Sequence, residues 1–286
     1  MPIRTAAEAV GRAREWVVAR REQPGQVWGR STGFPSWDRL TGGLHGGEVT
    51  VVGARTSVGK TAFALQVALA VAASGGIVLF VSPEMTDRQL ILRAAAQASG
   101  VSLRRLAVGD VTPQEHAVVD QALEAIARLP LHLWTGEEVD LSALEARSQE
   151  AHHLNPLALL VVDYLNLIRH QALSPYERAT EISRRIRALA NQLEIPVLLL
   201  SQLRRPAGGD EKPPSLYDLR DSGNIEQDAD NVLLLWRSSR VDSLGRVERE
   251  NLTVADLVKQ RNGPTGSFQL LFCPDSTRFD DLGGGR

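Results

Sequence analysis

Short, largely apolar runs alternate with longer helical stretches along most of this chain, and few folds accept that rhythm. The runs are Val49–Val52, Ile77–Val81, Leu157–Val162, Val197–Leu200 and Val232–Trp236. A strand buried on both faces reads as a continuous apolar run, whereas a strand with one wet face alternates. Helical patterns fill the intervals at Thr61–Ala73, Asp87–Ser99, Pro113–Arg128, Ser142–His153 and Tyr176–Leu193. Repeated strand, helix, strand predicts an α/β fold, a mostly parallel sheet with helices on both faces. After Trp236 the pattern changes. Leu252–Val258 alternates, Asn262-Gly-Pro-Thr-Gly266 turns, and Phe268–Phe272 follows, which predicts a C-terminal antiparallel hairpin added to the sheet.

A chain of 286 residues fits one large core of this kind. Ala6–Gln23 reads as an amphipathic helix with Ala7, Val10, Ala13, Val17 and Val18 on one face. It and a connecting loop make a first segment, residues 1–30, ahead of a core at 31–282 and a loose tail at 283–286. Ala207–Pro214 is the best candidate for a flexible loop. Hydrophobic residues at 43% and charged residues at 23% exclude collagen, coiled coil and wholesale disorder. The single cysteine, Cys273, excludes an internal disulfide and a multi-cysteine zinc site. The formal net charge of −2 means that any nucleic-acid contact must come from local basic loops. Phe63–Val81 is uncharged and long enough to cross a bilayer, but Ser74-Gly75-Gly76 breaks it into helix, turn and strand. No membrane span and a cytoplasmic location are therefore expected.

Ala54-Arg-Thr-Ser57-Val58-Gly59-Lys60-Thr61 reads as a phosphate loop (P-loop) with one departure, alanine where the pattern wants its first glycine. It follows an apolar run and opens a helix, as the chemistry requires. Backbone N–H groups of such a loop curl around phosphates, the lysine reaches the β- and γ-phosphates, and the threonine hydroxyl serves Mg2+. The expected ligand is ATP with Mg2+. Asp163 closes the run Leu159–Val162 and is the candidate metal carboxylate. Glu84 lies two residues past another run. It either orients the attacking water or merely complements the dipole of the helix after Thr86, and spacing does not decide. Gln202 ends a fourth run, either as a γ-phosphate sensor or as an ordinary polar strand end. Together these place polar groups at the carboxyl ends of four strands, where open α/β sheets bind ligands. Lys259 and Arg261 are two apart on the hairpin and share a face. Spacing favours a charge-guarded edge strand over a finger reaching into a neighbour's site.

These residues together resemble the C-terminal motor domain of the DnaB family of replicative helicases, built on the RecA-like core. The likeness runs through Thr32-Gly-Phe-Pro-Ser-Trp-Asp38, Thr41-Gly-Gly-Leu44, the phosphate loop with its alanine, Ser82-Pro-Glu-Met85, Asp163-Tyr-Leu165 and Ser201-Gln-Leu203. Its most specific parts are Asp218-Leu-Arg-Asp-Ser-Gly-Asn-Ile-Glu-Gln-Asp-Ala-Asp230 and Lys259-Gln-Arg-Asn-Gly-Pro-Thr-Gly266. The resemblance implies that Lys60 and Thr61 bind phosphate and magnesium, Asp163 positions the metal, and Glu84 is the catalytic carboxylate. It implies that Gln202 couples the γ-phosphate to DNA, that Arg93 lies near that phosphate, and that Lys259 and Arg261 act in trans. It gives Arg220, Asp221 and Gly223 to a loop that holds single-stranded DNA, and makes the first helix a linker that docks on the next subunit of a hexamer. Thr56 departs from the family's proline, Pro83 from a leucine and Asp221 from a glutamate.

Full-length members carry an N-terminal collar that meets primase and the loader. The chain here opens at the linker helix, so those partners are not expected without the collar. The implied function is 5′→3′ unwinding by a ring-forming ATPase. A RecA-like DNA-stimulated ATPase without unwinding, in recombination or a mobile element, remains open at this point, as does a non-catalytic ring subunit.

Overall fold

The computed structural model describes residues 5–23, 25–136, 139–163, 168, 174–204, 212–222, 225–241 and 247–283. Among these, nine strands form one sheet: β1 (Val49–Ala54), β2 (Ile77–Ser82), β3 (Leu131–Thr135), β4 (Leu157–Val162), β5 (Val197–Gln202), β6 (Asn231–Val241), β7 (Val247–Gln260), β8 (Gly266–Cys273) and β9 (Arg278–Asp281). Their order across the sheet is β3-β2-β4-β5-β1-β6-β7-β8-β9. The first six run parallel and the last three are added antiparallel. The helices are α1 (Ala6–Glu22), α2 (Pro35–Thr41), α3 (Lys60–Ala73), α4 (Asp87–Ser99), α5 (Leu103–Val108), α6 (Pro113–Ala127), α7 (Leu141–Leu154), α8 (Pro175–Leu193) and α9 (Ile225–Asp228).

The period-two geometry of the strands divides their side chains between two cores. Val52, Phe80, Leu159, Val161 and Leu200 join Phe63, Val67 and Leu90 from α3 and α4 on one face. Val51, Val81, Leu160, Val162 and Leu199 join Leu144, Ile182 and Ile186 from α7 and α8 on the other. Every residue of β1 and β4 is buried, as the continuous apolar runs require. The uncharged stretch after Lys60 resolves into α3 and β2. Among the described residues no helix is long and apolar enough to cross a membrane.

Three features extend or correct the sequence expectations. Among the described residues the apolar face of α1 is left uncovered: the helix has no buried residue, and Val10, Val17 and Val18 are each at least half exposed. The helix is anchored through Arg20, whose guanidinium stacks on Trp16 at 3.4 Å and on Trp28 at 4.9 Å. Secondly, β7 is not a charge-guarded edge, because it lies between β6 and β8. Thirdly, α2, α5, α9, β3, β9 and a 3-10 turn at Leu216–Ser222 have no counterpart in the sequence reading. Residues 207–211 of the expected loop, Arg205, and 284–286 of the tail lie outside the described residues.

Candidate active site

The phosphate loop links the end of β1 to the start of α3. Two of its residues take left-handed backbone, Ser57 at φ 65° and Gly59 at φ 108°. At Gly59 a side chain is excluded twice over. The conformation disfavours one, and an added Cβ would sit 2.8 Å from Phe279 Cζ and 3.3 Å from Phe272 Cε2. These two rings pack with centroids 4.7 Å apart and form the floor of the loop. The floor is fastened to α3 through Gln66, whose amide bonds both the N–H and the carbonyl of Phe279. From β6, Arg237 stacks on Phe272 and donates to the Ser57 carbonyl. The first turn of α3 then presents N–H groups without helical partners, and the positive end of the helix dipole, to the loop.

A cleft of about 180 Å³ opens over the loop, lined by Ala54 to Ser57, Gly59, Lys60, Thr61, Glu84, Arg93 and Gln202. Larger hollows lie elsewhere, one of about 560 Å³ between α1 and the amino end of β6, but this one gathers the charged groups. Burial pushes the Lys60 ammonium below the ordinary lysine range, and the carboxylates of Asp163 and Glu84 offset part of that. Arg93 is affected the same way by the same groups. Asp163 follows β4 and is pinned there by its N–H to the Val81 carbonyl, 2.8 Å. Burial raises its carboxyl above the usual range. Lys60, the Thr61 hydroxyl and Arg93 pull it back, and Glu84 pushes it further up. Among the described residues neither carboxylate oxygen finds a well-aligned hydrogen bond, although the residue is 1% exposed. A buried carboxylate without a well-aligned donor among the described residues, beside a threonine hydroxyl, suits a hard divalent cation such as Mg2+.

Glu84 lines this cleft. The dipole role that spacing left open is filled by others. Thr86 and Gln89 form a reciprocal capping box on α4, and Asp87 supplies the acid of its first turn. Gln202, at the end of β5, donates from Nε2 to Thr56 Oγ1 at 2.9 Å.

Lys259 and Arg261 are placed at the far end of the sheet. Gln260 pairs with Asn231, which pairs with Thr50 at the start of β1. The phosphate loop begins after Ala54, about 13 Å further along at ~3.3 Å per residue. Lys259 Nζ donates to the carbonyls of Glu226 and Ala229 at 2.6 and 2.7 Å, so it caps α9. Burial lowers its basicity. Arg261 Nη1 meets Asp230 Oδ1 at 3.3 Å, while Arg187 and the Val49 N–H hold the same carboxylate. The two most specific sequence blocks therefore touch each other. Arg220 and Asp221 lie in the 3-10 turn after β5, where the Asp218 carbonyl accepts from the Arg204 N–H; Gly223, like Tyr164 and Leu165, lies outside the described residues.

A family model, the DnaB-like helicase C-terminal domain, matches residues 29–281. The chain belongs to that family. It is 35% identical over 266 residues to the replicative DNA helicase DnaB of Geobacillus stearothermophilus, covering 90% of this chain and 58% of that one. It is 36% identical to the DnaB of Treponema pallidum, covering 92% and 58%. The chain thus spans less than two thirds of these relatives. Among solved structures, an isolated ATPase domain superposes with a TM-score of 0.89 at 27% identity, covering 99% of this chain and all of that one. A DnaB-like replicative helicase, described with its interactions with primase, gives 0.86 at 27% identity, covering 99% and 68%. In this family member, Arg237 and the Phe272–Phe279 floor are parts of the site that the sequence reading missed. Arg237 directly follows the apolar run Val232–Trp236, as Asp163 follows Leu159–Val162, although β6 continues past it to Val241.

Proposed function

We propose that this chain is the ATP-hydrolysing motor of a ring that moves on single-stranded DNA and separates duplex 5′→3′ in replication. The observation that carries this reading is the split of charged machinery between the two ends of one sheet. Lys60, Thr61, Asp163, Glu84, Arg93 and Gln202 gather at one end, and Arg261 and Lys259 sit at the other. A complete site then needs a second copy placed head to tail, which is how rings close.

In that site Lys60 and the loop N–H groups bind the β- and γ-phosphates of ATP. Thr61 and Asp163 hold Mg2+, which neutralises charge on the phosphate oxygens when bound. Glu84 orients the attacking water and accepts its proton. Arg93 and Gln202 face the γ-phosphate, and Arg261 and Lys259 of the adjacent copy stabilise the charge that develops there. The exposed apolar face of α1 docks on that neighbour, in keeping with a hexamer. Arg220, Asp221 and Gly223 grip the DNA backbone, so binding is nearly blind to sequence and weakens steeply with salt. Primase or a loader is a further partner where a collar is supplied, and the working location is the cytoplasm.

The test is ATP turnover together with mass photometry, with and without ATP, Mg2+ and a poly-dT strand. A hexamer whose turnover rises with DNA, followed by strand separation on a forked duplex, supports the reading. Turnover indifferent to DNA in a monomer removes the motor, and DNA-stimulated turnover without strand separation removes the helicase.

A further inference from the structure

Gln202 is engaged with the phosphate loop. Its amide bonds Thr56 Oγ1 at 2.9 Å and so ties the end of β5 to that loop. Both residues are exposed at the cleft they line with Lys60 and Thr61. The bond depends on a hydroxyl at position 56, the loop position noted above as departing from proline. A hydroxyl both donates and accepts, so the bond forms in either orientation of the amide. Being neutral and wet, it is weak enough to be exchanged. An ionised phosphate oxygen is a stronger acceptor than a hydroxyl, by roughly twofold in energy.

We propose that Thr56 is a positioning residue that parks Gln202 on the phosphate loop until the terminal phosphate of a nucleoside triphosphate takes the amide over. The exchange replaces an N–H···O bond to Thr56 by one to a γ-phosphate oxygen, with no covalent change. A diphosphate offers no such oxygen and leaves the parked bond in place. The contact must be broken for the triphosphate alone, so it holds down triphosphate affinity and narrows the cleft's preference for triphosphate over diphosphate. This rests on the reading of the cleft as an ATP site.

The experiment titrates the full chain, with Mg2+, using a non-hydrolysable fluorescent ATP analogue and the matching ADP analogue. Thr56→Val keeps the shape without the hydroxyl, and Thr56→Ser keeps the hydroxyl. Position 56 is exposed, so neither change strains the core. Thr56→Val is expected to bind the triphosphate about three- to fivefold more tightly than wild type, the factor corresponding to one neutral hydrogen bond of roughly 1 kcal/mol. Its diphosphate affinity stays put, and Thr56→Ser behaves as wild type. In a Gln202→Ala background the Thr56→Val effect vanishes. An equal shift for both nucleotides, weaker triphosphate binding, or an effect that persists without Gln202 overturns the parking role. Wild type that binds neither nucleotide overturns the ATP-site reading and the parking role with it. Wild type that binds both, without the triphosphate-specific change, overturns the parking role alone.

Discussion

Replacing Asp163 by asparagine should make the ligand-free protein more stable while removing its activity. The carboxylate is buried, and neither oxygen has an aligned partner among the described residues. Burial raises its pKa despite Lys60 and Arg93, so the ionised form carries a net cost in the folded state. An unpaired buried polar group costs roughly 1–3 kcal/mol, and a charged one more. Asparagine keeps the shape and the neutral part of that cost, which leaves a gain of about 1–2 kcal/mol, or about 2–3 °C in melting temperature for a chain of this size. The sign with pH follows from the raised folded pKa. The folded state keeps its proton to higher pH than the unfolded state does. The cost therefore appears as pH rises through the unfolded carboxylate range and is complete above the folded pKa. The stability gap between Asp163→Asn and wild type should be widest at neutral pH and should close in acid. Saturating Mg2+ and a non-hydrolysable ATP analogue should reverse the order, because ligand at a hundred times its Kd adds about 2.7 kcal/mol to wild type alone. Calorimetry in EDTA and then with Mg2+-nucleotide reads both halves. A mutant that melts below wild type in EDTA at pH 7 refutes the argument that burial outweighs the stabilisation of this charge by its neighbours.

Other changes probe other parts of the site. Arg261→Ala should leave nucleotide binding and melting temperature near wild type, since Arg187 and the Val49 N–H still hold Asp230, while turnover falls about a thousandfold or more; normal steady-state turnover would remove the trans role. Glu84→Gln should bind ATP and remain on single-stranded DNA without turning over, read by filter binding beside phosphate release; wild-type release would end its assignment as the catalytic carboxylate. Asp281→Ala should cost about 1–2 kcal/mol, because Asp281 accepts from the Ser36 N–H and hydroxyl at 2.7 Å each and so fastens β9 to α2. The Asp281 carboxyl is held below its usual range although burial pushes it up, the Ser36 and Gly283 bonds and Arg39 outweighing burial. Its stabilisation is thus present above the unfolded carboxylate pKa and disappears as pH falls through the folded one, where melting curves of the two proteins should converge.

The central strands were legible because each is buried on both faces and cannot help reading as an apolar run. β3 escaped for the opposite reason. It is one edge of the sheet, His132 is exposed and its other residues are only partly buried, and Leu-His-Leu-Trp-Thr carries no continuous apolar signal. β9 is four residues long and follows a turn in which Thr277 takes φ 54°, a conformation no residue type announces. Within the site, Lys60 and Thr61 open the helix after a strand and Asp163 follows the end of another, positions that sequence rules single out. The phosphate-loop floor does not, because Phe272 and Phe279 reach the loop only after the sheet has been extended by β7, β8 and β9. The position of Arg261 was legible as charge but not as placement, since register across β1, β6 and β7 decides which end of the sheet it occupies.

That register has a genetic consequence. If each hydrolytic centre draws its phosphate loop from one chain and its finger from the next, lesions in the two parts belong to different sides of the same junction. Chains carrying Lys60→Ala retain a sound Arg261, and chains carrying Arg261→Ala retain a sound phosphate loop. Each is dead alone, yet co-assembly creates junctions where the surviving halves meet, so the two defective alleles should complement one another. Two phosphate-loop lesions should never do so.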